Sequence, residues 1–126
     1  MHNSISILGT MLLLGLAANV ANAAESKAVQ AMAGILTNIQ HVPSDADKQA
    51  LAQIAVDKAA TADERTLAQA LMNVQHTAAA ADKPSLEAIV GDAKASGSVR
   101  MLASVILGLH HFPSDSDKEK LRVLTQ

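Results

Sequence analysis

Three histidines recur in this chain at a constant interval of 35 residues: His41, His76 and His111. The phrase HVPSDADK, which begins at His41, returns as HFPSDSDK at His111, and a degraded copy begins at His76. A repeat of about 20–50 residues is typical of stacked supersecondary units, most often helical hairpins. The sequence therefore predicts three copies of one unit, over residues 25–60, 61–95 and 96–126.

Each unit contains two segments with the apolar spacing of an amphipathic helix. The first helices are predicted at about 26–40 and 62–75 and at the corresponding part of unit three. Their predicted buried faces are Val29, Met32, Ala33, Leu36 and Ile39; Leu67, Leu71 and Val74; and Val99, Leu102, Ala103, Ile106 and Leu109. The second helices are predicted to bury Leu51, Ile54 and Ala55; Leu86, Ile89 and Val90; and Leu121 and Leu124. No segment alternates in the manner of a strand, so the fold is predicted to be all-α.

The recurring phrase has the composition of a turn followed by a helix start. Proline breaks the first helix, serine caps the second, and an aspartate three residues later completes a capping box. Carboxylates in the first turn also oppose the positive end of the helix dipole. The predicted structural residues of these turns are Pro43, Ser44 and Asp47 in unit one and Pro113, Ser114 and Asp117 in unit three.

Together these patterns predict three antiparallel helical hairpins, about six helices, in a short α-solenoid or a compact bundle. The period and the helix pattern are similar to those of tetratricopeptide repeats. The Trp and Gly-Tyr signature positions of that family are absent, so the resemblance extends to repeat length and helix content only.

The N-terminus has the pattern of an export signal. An apolar stretch from Ile5 to Leu16 leads to Ala21-Asn22-Ala23, and no charged residue precedes Glu25. This pattern predicts a signal peptide over residues 1–23, cleaved after Ala23, and a single domain over 24–126. The apolar stretch is shorter than the roughly 20 residues of a membrane span, so no stable membrane insertion is expected after cleavage. The predicted location is the periplasm or the exterior.

Composition argues against several classes of function. The net charge of −2, with no basic stripe, and the absence of Tyr and Trp argue against nucleic-acid binding. There is no cysteine, hence neither a disulfide nor a catalytic thiol. No nucleophile elbow or phosphate-binding loop is present. The chain is therefore predicted not to be an enzyme and to need no cofactor.

The candidates for a metal site are His41, His76, His110 and His111, and the sequence argues against such a site. Packed helices lie about 8–10 Å apart. Histidine nitrogens that bind one zinc ion lie within about 4 Å of each other. If the units stack in a row, equivalent histidines form a ladder that is too widely spaced to share an ion. On this expectation the histidines end helices and bind no metal.

The leading functional prediction is a small exported helical-repeat protein that binds a protein or peptide partner in the cell envelope, because stacked helices create grooves. A dedicated inhibitor or immunity-type binder of one exported enzyme or toxin is the first alternative. A carrier of a metal or small ligand that uses the histidines is the second. Convergence of two or more imidazoles within about 4 Å would favour the last of these. The sequence gives no indication of an oligomeric state.

Overall fold

The structure, a computed structural model, describes residues 25–126. The predicted signal peptide over residues 1–23 lies outside the described residues. Within residues 25–126 the fold is all-α, as predicted, and contains six helices. They are α1 (Lys27–Asn38), α2 (Asp45–Val56), α3 (Ala62–Met72), α4 (Lys83–Gly91), α5 (Gly97–Gly108) and α6 (Asp115–Leu124).

The first helix of each unit, α1, α3 and α5, belongs to a central group of three that contact one another. Their N-terminal ends are joined by side-chain hydrogen bonds. Ser26 Oγ donates to Glu64 Oε2 at 2.6 Å, and Ser98 Oγ donates to Glu25 Oε1 at 2.5 Å. The segments that follow their C-terminal ends also meet, because the three repeated histidines lie together. Both ends converge, so the three inner helices run parallel around a common axis.

The second helix of each unit lies outside this group and packs mainly on the inner helix of the next unit. Thus α2 packs on α3, and α4 packs on α5. The last helix continues the same pattern by packing on the first, α6 on α1. The array therefore closes into a ring with approximate threefold symmetry. Of the two arrangements that the sequence left open, these helices form the compact bundle, and the units are not self-contained hairpins stacked in a row.

The core lies along the threefold axis and beneath the outer helices. Every residue of the predicted inner-helix faces is buried, and Met32, Leu36, Leu67, Leu71, Leu102 and Ile106 are fully inaccessible. The outer helices bury less: Leu51, Leu86, Ile89, Leu121 and Leu124 are buried, and Ile54 and Ala55 are partly buried. Val90 is 40% exposed, so its predicted burial is wrong. It follows Ile89, which faces the core, and the next position on a helix turns by about 100°.

Side-chain caps fix where the helices begin. The inner helices begin after Ser26, Thr61 and Ser96, which recur at the 35-residue interval, and each side chain accepts a hydrogen bond from a backbone N–H in the first turn. Thr61 and Glu64 form a complete capping box, and the Glu64 carboxylate is buried. These caps place the inner helices in equivalent positions around the axis.

The longest of the described helices has 12 residues. None of the helices in residues 25–126 has the length and apolar character needed to cross a bilayer.

Candidate metal centre

The repeated histidines occupy the turns that follow the inner helices, at one pole of the bundle. Each has a positive φ angle: 70° at His41, 66° at His76 and 68° at His111. They are the only non-glycine residues with positive φ among residues 25–126. Side chains other than glycine adopt this region at a cost of about 1–2 kcal/mol. At His41 the Val42 N–H donates to the Gln40 carbonyl at 2.7 Å, as in a γ-turn.

The backbones of the three histidines form a closed ring of hydrogen bonds. The His76 N–H donates to the His41 carbonyl at 2.6 Å, the His111 N–H donates to the His76 carbonyl at 2.6 Å, and the His41 N–H donates to the His111 carbonyl at 2.7 Å. Each residue therefore uses its donor and its acceptor within the ring. The ring forms with all three histidines at positive φ. Its hydrogen bonds fix the three residues relative to one another.

The imidazoles converge on the same axis. The Nδ1 atoms lie 3.0 Å apart between His41 and His76, 3.1 Å between His41 and His111, and 3.0 Å between His76 and His111. The expectation that these histidines lie too far apart to share an ion is therefore wrong. That expectation assumed units stacked in a row, whereas units arranged around an axis bring equivalent residues together. We call the three Nδ1 atoms the histidine triangle.

The rings meet edge to face and not as a stack. Their centroids lie 4.9–5.0 Å apart and their planes are inclined by 68–76°. A neutral imidazole carries its proton either on Nδ1 or on Nε2, and the other nitrogen has a lone pair. With the proton on Nε2 in all three rings, three lone pairs point at one place. That is the donor set of a metal site with three histidine ligands.

The surroundings of the histidine triangle favour a cation. None of the inner helices has a basic residue in its last turn. The negative dipole ends of the inner helices and the positive dipole ends of the outer helices both lie at this pole, so the side-chain charges decide its sign. Between each histidine and the seventh residue after it, the three units together carry five carboxylates and three ammonium groups, although in unit two the numbers are equal. The carboxylates are those of Asp45, Asp47, Asp82, Asp115 and Asp117, and the ammonium groups are those of Lys48, Lys83 and Lys118.

His110 belongs to the neighbourhood of the triangle but not to the triangle itself. Its ring stacks on His111, with centroids 4.9 Å apart and planes inclined by 20°. His41 and His76 are exposed and His111 is half-buried. Partial burial, together with the positive charges that His110, His76 and His41 carry when protonated, lowers the pKa of His111. A lowered pKa keeps this imidazole neutral, as metal binding requires.

The predicted turn residues directly follow the histidines of units one and three in the chain. Pro43 and Pro113 are fully buried, two residues after their histidines. Ser44 Oγ accepts from the Asp47 N–H at 3.1 Å, and Asp47 Oδ2 accepts from the Ser44 N–H at 3.4 Å. In unit three, Ser114 Oγ accepts from the Asp117 N–H at 3.1 Å. These residues begin the outer helices.

A cleft of about 340 Å³ borders the triangle on one side. It is lined by the end of α1, His41, Phe112 and Lys118. Phe112 is the only aromatic residue of the chain other than histidine, and it is 57% exposed. The equivalent positions in the other units are Val42 and Thr77, so the rim of the triangle is not threefold symmetric.

Comparison of the chain with protein-family models, with curated proteins and with solved structures found no match in any of the three. The function is therefore inferred from the histidine triangle and its surroundings.

Proposed function

We propose that this chain binds one divalent first-row transition-metal ion through Nδ1 of His41, His76 and His111, as a non-catalytic metal carrier. The observation that carries the proposal is the separation of the three Nδ1 atoms, 3.0–3.1 Å. Imidazole nitrogen suits Zn²⁺, Cu²⁺, Ni²⁺ and Fe²⁺, whereas Mg²⁺ and Ca²⁺ prefer oxygen. Three neutral imidazole nitrogens that converge on one point favour a divalent cation that is intermediate between hard and soft.

The backbone conformation of the three histidines supports a metal-binding role and argues against chance proximity of their imidazoles. Three residues with unfavourable φ angles are fixed by a ring of backbone hydrogen bonds, and strained backbone clusters at functional sites. If the histidines only ended helices, a glycine or asparagine would adopt these φ angles at lower cost. A ligand set fixed before binding loses less conformational entropy when the ion arrives.

The proposed location is the periplasm or the exterior, after removal of residues 1–23. The apolar N-terminal stretch and the Ala21-Asn22-Ala23 site support this part of the proposal. N-terminal sequencing of protein recovered from an envelope extract should begin at Ala24. Recovery of protein that still carries residues 1–23 would contradict it.

Metal binding is tested by isothermal titration calorimetry and equilibrium dialysis with Ni²⁺, Zn²⁺ and Cu²⁺. The protein should bind one ion per chain, and His76→Asn should lose that binding. Asparagine tolerates the positive φ angle, so the variant keeps the backbone ring. His110→Asn is the matched control: it removes a neighbouring imidazole outside the triangle, and one ion should still bind. Equal binding by His76→Asn and the unchanged protein would overturn the proposal.

Binding of a protein or peptide partner in the envelope is a second candidate function. It is supported by a shallow apolar surface between α1 and α2, lined by Ala28, Ala31, Ala50, Ile54 and Val56. Val56 is 79% exposed there. A dedicated inhibitor of one exported enzyme would use the same kind of surface. Affinity capture with the unchanged protein and with Val56→Asp tests this candidate, and a partner captured equally by both does not bind at this surface.

A further inference from the structure

The size of the histidine triangle indicates how the ion is coordinated, given that the proposed function is correct. Metal–nitrogen distances in histidine sites are about 2.0–2.1 Å. With about 2.05 Å as the distance, a tetrahedral ion needs ligand nitrogens about 3.35 Å apart, and one face of an octahedron needs them about 2.9 Å apart. The observed separations are 3.0–3.1 Å. They are closer to the octahedral face.

The same distances place the ion outside the plane of the three nitrogens. Nitrogens 3.0–3.1 Å apart lie about 1.75 Å from the centre of their triangle, so an ion at about 2.05 Å lies about 1.1 Å above the plane. The angles between its bonds to nitrogen are then about 95°. His41 and His76 are exposed, and the backbone N–H and carbonyl groups of all three histidines are used within the hydrogen-bonded ring, so we expect an ion to approach from the solvent. The ion therefore lies on the solvent side.

We propose that the histidine triangle holds a six-coordinate ion such as Ni²⁺ or Co²⁺ by one face, and that the three remaining positions, which lie together on the solvent side, take a small chelating ligand. In a facial triad, three protein ligands occupy one face of the metal ion. The adjacent coordination positions are open and admit a ligand from solution. The ligand class is a tridentate amino- or hydroxycarboxylate. The cargo is then a metal chelate and not a bare ion.

The pole has room for such a ligand on one side. The cleft bordered by His41 and Phe112 holds about 340 Å³, and Lys118 contributes an ammonium group to its lining. A carboxylate arm that extends from the ion into this cleft would meet that positive charge and the face of Phe112. The equivalent positions are Val42 and Lys48 beside His76, and Thr77 and Lys83 beside His111, in both cases without an aromatic ring. The asymmetry of the rim predicts that the ligand binds in one orientation.

The experiment has two stages, so failure of the proposed function and failure of this inference are distinguishable. Co²⁺ is first titrated into the protein. No binding contradicts the proposed function itself. If Co²⁺ binds, its visible spectrum reports the geometry: weak absorption indicates six ligands, as we expect, and intense absorption indicates a tetrahedral ion and overturns the inference.

The second stage adds iminodiacetate, which offers one nitrogen and two carboxylates, to protein loaded with Ni²⁺. Native mass spectrometry should show a complex of one protein, one Ni²⁺ and one iminodiacetate. A tetrahedral site with one open position cannot admit three donors, so the chelator would remove the ion. Loss of Ni²⁺ from the protein overturns the inference.

Lys118→Met should weaken binding of the chelator several-fold and leave binding of Ni²⁺ alone unchanged. Lys48→Met, at the equivalent position of unit one, is the matched control and should weaken neither.

Discussion

The backbone N–H of His41 donates a hydrogen bond of 2.7 Å to the carbonyl oxygen of His111, which lies 70 residues away in the chain. This bond connects the first and third units at the pole that carries the histidine triangle. The packing of α6 on α1 connects the same two units along the side of the bundle. The histidine triangle therefore exists only when the ring of units is closed, so the proposed metal binding should depend on the integrity of the whole fold.

The strained backbone at His76 predicts opposite effects for two substitutions that both remove the imidazole. His76→Gly should be as stable as the unchanged protein or more stable, because glycine adopts the φ angle of 66° without cost. His76→Val should be less stable than His76→Gly by more than about 1 kcal/mol, because a β-branched side chain is strongly disfavoured there. Urea denaturation measures both. Equal stability of the two variants would show that φ is not positive at this position.

Metal binding should raise the melting temperature. A ligand that binds only the folded state, at a free concentration 100 times its dissociation constant, stabilises that state by about 2.7 kcal/mol. For a domain of this size the melting temperature should rise by roughly 10 °C or more. Differential scanning calorimetry with Ni²⁺ and with excess chelator measures the rise. The His76→Gly variant should show none, and a rise of similar size in that variant would place the ion elsewhere.

The lowered pKa of His111 predicts that the metal-free protein loses stability in mild acid. The folded-state pKa lies below the ordinary value of about 6.5, so below that pH the unfolded chain binds a proton that the folded chain excludes. Stability is therefore fully present above about pH 6.5 and falls as the pH decreases from there toward the folded-state pKa. The titratable groups that face His111 and lower its pKa are His110, His76 and His41.

Urea denaturation of metal-free protein between about pH 7.5 and about pH 5.5 measures this dependence. His111→Asn keeps the positive φ angle accessible and removes the titrating group, so its stability should vary less over that range. A steeper dependence in His111→Asn than in the unchanged protein would contradict the assignment of the effect to His111.

The helices and the inner core follow directly from the sequence, because they depend on local patterns. The apolar spacing of Val29, Met32 and Leu36 predicts one buried face, and all three are buried. The Ser44–Asp47 box predicts a helix start, and α2 begins at Asp45. These features depend on residues within one or two turns of each other, so they hold whatever the arrangement of the units.

The histidine triangle does not follow from the sequence, because it depends on how the units are arranged around an axis. A translation along a solenoid separates equivalent residues by the helix spacing, about 8–10 Å. A rotation brings residues near the axis together, here to 3.0–3.1 Å between Nδ1 atoms. The signal that pointed to the site was the retention of His76 in a unit whose turn has lost the Pro-Ser-Asp sequence. That turn also keeps Ala81, Asp82 and Lys83 of the phrase in unit one, and of the four kept residues only His76 belongs to the triangle.

Closure of the ring predicts that the order of the units in the chain can be changed. Five residues, 57–61, connect α2 to α3, and five, 92–96, connect α4 to α5. Joining Gln126 to Glu25 would connect α6 to α1 by four residues, so one inserted glycine gives the same length. A permutant that runs from Ala93 to Gln126, through this glycine, and from Glu25 to Asp92 should form the same bundle. Ser26 would cap α1 as Thr61 caps α3.

The permutant should melt cooperatively and bind one Ni²⁺ per chain with the affinity of the unchanged protein, as measured by circular dichroism and calorimetry. The control is the fragment 25–95, which lacks α5, α6 and His111. It exposes the faces of α1 and α4 that those helices cover, and it should be largely unfolded and bind no ion with comparable affinity. A permutant that fails to fold while fragment 25–95 melts cooperatively would show that the first two units form a bundle of their own. The contact between α6 and α1 would then not be the feature that holds the histidine triangle together.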